Sequence, residues 1–176
     1  MSSGSWVGGA PGGAGSALAP ASGPGLDGRR DELSVGFRNQ NGKVIRKYST
    51  DGTTWTGSSP FPPATSGAVS LVAPGRNLWF AYAGPDGKTN VTIDKPDTGD
   101  TDLGMPDDWG NPGAPVLTLH NSRVWLAARH TDGRIRALNG GDGEPWNQPP
   151  HPVENAMAGE PALASHNGRL YLMYRS

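Results

Sequence analysis

Residues 124–146 read VWLAARHTDGRIRALNGGDGEPW. The order is an apolar strand, a tight turn, a second strand, another turn and a tryptophan. Displaced by 91 positions, the same pattern lies without a gap on residues 33–55, LSVGFRNQNGKVIRKYSTDGTTW. The pairs Arg38/Arg129, Gly42/Gly133, Gly52/Gly143 and Trp55/Trp146 fall in register. Half that displacement finds a third copy from Leu78, LWFAYAGPDGKTNVTI, and a fourth opens at Leu170, LYLMYRS. A fixed period of about 45 residues is the mark of a repeat architecture.

Outward from this core, each repeat opens on a short apolar run: Pro24–Leu26, Val69–Val72, Pro115–Leu119 and Pro161–Ala164. A turn follows, LDGRRDEL, APGRNL, HNSRV or HNGRL, whose Gly and Asn suit the positive φ of a hairpin. The main strand comes next: LSVGFR (33–38), LWFAYA (78–83), VWLAAR (124–129) and LYLMYR (170–175). Asn-Gly or Asp-Gly then marks a second hairpin in NQNGK (39–43), GPDGK (84–88) and HTDGR (130–134). A third strand leads to a turn ending in Trp: DGTTW (51–55), PDDW (106–109) and DGEPW (142–146). The second repeat carries a polar insert, DKPDTGDTDLG, expected to form a surface loop.

The main strands are apolar on both faces. Leu78, Phe80 and Tyr82 point one way while Trp79 and Ala81 point the other, so both faces need cover. Four short strands per repeat, stacked between like sheets, describe an all-β chain: a β-propeller or partial propeller of about 45-residue, four-stranded blades. A β-sandwich does not require the period. Blades are expected at about 22–66, 67–112 and 113–158, with a partial one at 159–176. Residues 1–21 are Gly-, Ala- and Pro-rich and read as a tail or linker, or, through Trp6, as the last strand of a preceding repeat. Three complete units plus half of a fourth form an arc, which suggests part of a larger propeller or self-association to complete the ring.

Composition limits the function classes. The chain has 176 residues, a formal net charge of −1, no cysteine, and 27 glycines and 17 prolines. Charges are interspersed, so no basic patch suggests nucleic acid. No stretch reaches the roughly 20 apolar residues that span a bilayer, and no signal-peptide pattern is present. His120 and His166 share a repeat position in tight turns, while His130 and His151 are isolated, so no metal set or cofactor motif emerges. No paired carboxyls, Ser-His-Asp set or phosphate loop marks an enzyme.

The segments PALASHNGRLYLMYR (161–175), ARHTDGRIR (128–136) and STDGTTW (49–55) resemble the tandem β-propeller repeats of secreted bacterial lectin-like and sialidase-like proteins. The last is similar to the sialidase Asp-box, S-x-D-x-G-x-T-W, with one residue missing between Asp and Gly. The resemblance implies structural turns at Asp51, Gly52 and Trp55 and at Asp142, Gly143 and Trp146. It also implies an extracellular setting and glycans as partners.

Two repeated positions are candidates for sugar contacts. Arg38, Arg129 and Arg175 end the main strand in three of four repeats, and guanidinium forks bind carboxylates or hydroxyls. Trp79, Trp125 and Tyr171 share another position, with Ser34 in the first repeat, and are candidates for stacking on pyranose rings. Fucose-type propeller lectins use Arg, Glu and Trp or Tyr between blades. Here no Glu recurs, since Glu32, Glu144, Glu154 and Glu160 are scattered. The expected function is a carbohydrate-binding, lectin-like module with repeated sites between blades. The alternatives are a fragment of a sialidase-like glycoside hydrolase and a protein-interaction propeller.

Overall fold

The computed structural model describes residues 26–27, 32–39, 41–57, 64–95, 98–105, 113–142, 146, 151–156 and 158–175, with backbone alone at 26–27, 32, 151–156 and 158. The tail over 1–21 with Trp6, the Trp of the second repeat and Gly143 lie outside the described residues. Within them are fourteen strands in four sheets and no helix.

Each sheet is an antiparallel meander. The first holds β1 (Leu26–Asp27), β2 (Glu32–Arg38), β3 (Val44–Ser49) and β4 (Thr56–Gly57). The second holds β5 (Val69–Val72), β6 (Leu78–Ala83), β7 (Thr89–Lys95) and β8 (Gly99–Leu103). The third holds β9 (Val116–His120), β10 (Arg123–Arg129), β11 (Arg134–Gly140) and β12 (His151–Ala156), and the fourth β13 (Ala158–His166) and β14 (Arg169–Arg175).

Turn chemistry sets the meander. Asn121 and Ser122 (φ 49° and 59°) and Asn167 and Gly168 (φ 48° and 69°) all sit at positive φ. They close the two-residue hairpins β9–β10 and β13–β14, where His120 pairs Arg123 and His166 pairs Arg169. The next turn is the same in three sheets. Gly42, Gly87 and Gly133 donate their backbone N–H to the carbonyls of Asn39, Gly84 and His130 at 3.0, 3.0 and 2.9 Å.

One expectation fails. The insert DKPDTGDTDLG is not a surface loop: it turns at Gly99 (φ 77°) and returns as β8, pairing Asp94 with Asp100 and Thr92 with Asp102. Its alternating Thr and Asp residues suit an edge strand with one face wet. β8 therefore becomes the outer strand of the second sheet, ahead of the Trp that was expected to mark it.

The sheets stack face to face through three seams. Phe80, Tyr82 and Leu78 of β6 join Val69, Leu71 and Ala73 against Val44 of the first sheet. The approach is close: a Cβ on Gly36 would stand 2.9 Å from Leu71 Cδ2, so any larger residue there would displace the Leu71 side chain. The other face of β6 packs Trp79 and Ala81, with Val91 and Ile93, on Leu117, Val124, Leu126 and Leu138 of the third sheet. β6 is buried along its whole length, as its two apolar faces require. In the third seam, Ala127, Ile135 and Ala137 meet Leu163, with Leu170 and Leu172 of β14 alongside.

Candidate functional site

The register places the strand-end arginines at one end of the seams. Continuing the β9–β10 pairing, in which Val116 opposes Ala127, sets Ala114 level with Arg129. Trp125 lies four residues back along β10, about 13 Å away at the usual strand rise. The arginine position and the aromatic position expected to act with it are thus at opposite ends of the strand.

The aromatic position differs from sheet to sheet, and at Trp79 the expected sugar contact is corrected. Trp79 is 0% exposed. Its ring stands edge-on to Trp146 at 5.5 Å and 76°, and its Nε1–H donates to Asp142 Oδ1 at 3.2 Å. It is interior packing and presents no face to a sugar. Trp125 is half-buried on the third-seam cluster beside Leu170 and Leu172, with His120 edge-on at 6.5 Å. Tyr171 is 43% exposed, on the face of β14 turned away from the third sheet. Ser34, at the same repeat position, is buried and accepts a hydrogen bond from Arg46.

The two Trp-ended turns differ in use. In the first, Asp51 Oδ1 accepts the N–H groups of Thr53 and Thr54 at 2.8 and 2.6 Å and the Ser49 hydroxyl at 2.9 Å. Ser49 Oγ in turn accepts the Gly52 N–H at 2.9 Å. The backbone N–H of Thr54, then that of Thr53, holds the Asp51 carboxyl well below the usual carboxylate range. Trp55 is half-buried. In the third sheet, Asp142 reaches across the second seam, accepting from Asn77 Nδ2 at 2.8 Å and from Trp79. Trp146 packs between the sheets at 7% exposure.

At the arginine end the three seams are chemically unequal. The first seam places Arg38 opposite Tyr82. Arg38 Nε–H donates to the Thr65 carbonyl at 2.9 Å, and Tyr82 is buried with its hydroxyl 3.2 Å from Thr92 Oγ1. Burial pushes the Tyr82 phenol up from its ordinary pKa. The second seam has Ala83, Ala114 and Ala128 at this height, all buried.

The third seam differs from both. Arg129 lies on the same face of β10 as Ala127 and Trp125, turned towards the fourth sheet. Its Nε is buried and, among the described residues, has no hydrogen-bond partner. Tyr174 lies on the same face of β14 as Leu170 and Leu172, turned towards the third sheet, and is 45% exposed. Exposed Glu160 of β13 completes the trio, its Oε1 accepting the Ala114 N–H at 3.1 Å. The adjoining hairpin holds His130 3.2 Å from Asp132, which also takes Arg136 at 3.2 Å. The Arg134 backbone N–H, foremost, lowers the Asp132 carboxyl pKa.

Arg129, Glu160 and Tyr174 thus come from facing strands at the same end of the third seam.

The stacked sheets have the fold of a β-propeller or partial propeller. Their fold is similar to that of a fucose lectin from Kordia zhangzhouensis solved with methyl-fucoside. The TM-score is 0.55 at 14% identity, over 71% of this chain and 91% of that one. It is also similar to Aleuria aurantia lectin, solved as a variant with alpha-methyl-L-fucoside, with a TM-score of 0.60 at 15% identity. The match covers 81% of this chain and 49% of that lectin, so it spans about half the lectin's length. No protein-family model matches the sequence, and no curated protein matches it.

Glu160 was missed in the sequence because it does not recur, and Tyr174 because its repeat position holds Tyr only in the second and fourth repeats. Stepping by 46 residues gives Ala68, Ala114 and Glu160 at one position and Tyr82, Ala128 and Tyr174 at the other. For Glu160 the available signal was the departure from the repeat rather than the repeat itself. Of the three arginines, Arg38 is committed to Thr65, Arg129 faces the third seam, and Arg175 lies on the far face of β14 with Tyr171 and Met173.

Proposed function

We propose that the chain is a carbohydrate-recognition module of the β-propeller lectin type, with its sugar site at the mouth of the third seam. The reading rests on the placement of Arg129, Glu160 and Tyr174 on facing strands at one end of the third seam, with Glu160 reaching across to the Ala114 N–H. A sugar oxygen accepts from Arg129, a hydroxyl donates to Glu160, and a ring C–H face lies on Tyr174. Charge-assisted bonds of this kind gain strength where water is partly excluded. The fold-level likeness to lectins solved with fucosides supports the ligand class. An extracellular setting belongs to this proposal through the repeat resemblance alone.

A glycan array with the purified chain tests it. Saturable binding to one sugar class, lost in Glu160→Ala and Tyr174→Ala, is the expected result. Folded protein that binds no glycan overturns the reading.

The 176-residue chain is also proposed to associate head to tail with a second copy. The far face of β14 exposes Tyr171 and Met173, at 43% and 61%. The far face of β2 carries Leu33, Val35 and Phe37, half-buried. By the repeat offsets these are the two halves of a seam: Tyr171 and Met173 correspond to Trp79 and Ala81, and Leu33 and Val35 to Val124 and Leu126. Light scattering is expected to show concentration-dependent dimers or larger rings that Met173→Asp reduces to monomers. A wild-type monomer at all concentrations overturns it.

A further inference from the structure

We infer that each chain holds one sugar, at the third seam, and that Arg38 belongs to the blade contact rather than to a second sugar site. This rests on the carbohydrate reading above and departs from the equal sites that the repeat suggests. A site of this chemistry needs a donor, an acceptor and a face at the same height, and the seams can be compared position by position.

At the third seam the set is Arg129, Glu160 and Tyr174. At the first it is Arg38, Ala68 and Tyr82, and at the second Ala83, Ala114 and Ala128. The second seam therefore has no polar side chain at any of the three positions. The first lacks a carboxylate, its tyrosine is buried to 1% exposure, and its arginine Nε–H is already satisfied by the Thr65 carbonyl. Thr65 is itself fixed, with its hydroxyl 3.0 Å from the Ala83 carbonyl. The chain's own backbone thus occupies one of the guanidinium donors, the Nε–H.

A seam formed between copies does not add a site. It brings Arg175 to a first blade whose carboxylate position, 91 residues before Ala114, is Gly23. Avidity then depends on how many chains are presented together, not on sites within one chain.

Two measurements test the inference on the full chain. Calorimetric titration uses methyl α-L-fucoside, with methyl α-D-mannoside and methyl β-D-galactoside in parallel. The expected result is a stoichiometry of one sugar per chain. Arg129→Met weakens binding at least tenfold, while Arg38→Met leaves the stoichiometry at one. Two or more sugars per chain, or full binding by Arg129→Met, overturns the single site while the carbohydrate reading stands. No binding of any of the three, with an empty glycan array, overturns both.

Thermal unfolding without ligand is the second measurement. Arg129→Met is expected to raise Tm, because it removes a buried N–H with no partner, and Arg38→Met to lower it. The reverse order overturns the inference whatever the sugar.

Discussion

The second and third seams use the same strand frame and differ in what fills it. In the second, two tryptophans, three leucines and an isoleucine exclude water, and small alanines close the arginine end. In the third, the buried fill is Ala127, Ile135, Ala137 and Leu163, and the end is left to Arg129, Glu160 and Tyr174. Large apolar side chains turn a seam into adhesive. Small ones leave the edges of the sheets close but the mouth open to polar groups. The proposed site therefore lies at the seam with the smallest apolar fill.

The comparison is broken most severely at Trp79. Trp79→Ala removes the central side chain of the second seam and leaves Trp146 without its partner. A loss of about 3–5 kcal/mol is expected, a fall in Tm of roughly 10 °C or outright unfolding, read by circular dichroism. Leu163→Ala in the third seam should cost clearly less, since fewer large side chains surround it; equal losses would erase the distinction.

Asp142→Ala tests the polar rim of the second seam. It strands the Asn77 amide and the Trp79 Nε1–H, at a cost of about 1–2 kcal/mol in denaturant unfolding. An unchanged midpoint would mean that water replaces both bonds freely.

Arg129→Met sharpens the other side. Removing a buried, unpartnered donor is expected to stabilise the fold by about 1 kcal/mol, some 2–4 °C in Tm, while abolishing sugar binding. A loss of stability would show that Arg129 serves the seam rather than a ligand.

The smallest effect lies away from both seams. Burial, then the neighbouring Asp94 and Asp102, raises the Asp100 carboxyl pKa above its ordinary 3.8. The folded state therefore binds this proton more tightly than the unfolded one. Stability falls as pH rises through the two values and recovers on acidification. Asp100→Asn should remove this slope and gain about 0.5 kcal/mol or less at neutral pH. Urea midpoints at pH 7 and near pH 4 check it; a steeper slope in the variant would reverse the sign.

Much of the fold was legible because short-range chemistry writes it. Asn121-Ser122 and Asn167-Gly168 demand hairpins wherever they stand, and the double apolar face of Leu78–Ala83 demands cover on both sides. The insert at 94–104 was misread because polarity alone suggested a loop. Backbone pairing to β7 outweighs polarity at an edge strand, where one face is meant to be wet.

The sequence by itself determined the repeat, the meander of each sheet and the arginine row at the strand ends. Those follow from local turn geometry and from period-two alternation. Only the tertiary structure decided how each arginine is held. Arg38 and Arg129 are equivalent in the repeat, yet the Nε–H of one bonds a carbonyl 27 residues away and the Nε of the other is buried with no hydrogen-bond partner among the described residues. A hydrogen bond between blades depends on how two sheets meet, and no local pattern in either sheet encodes that meeting.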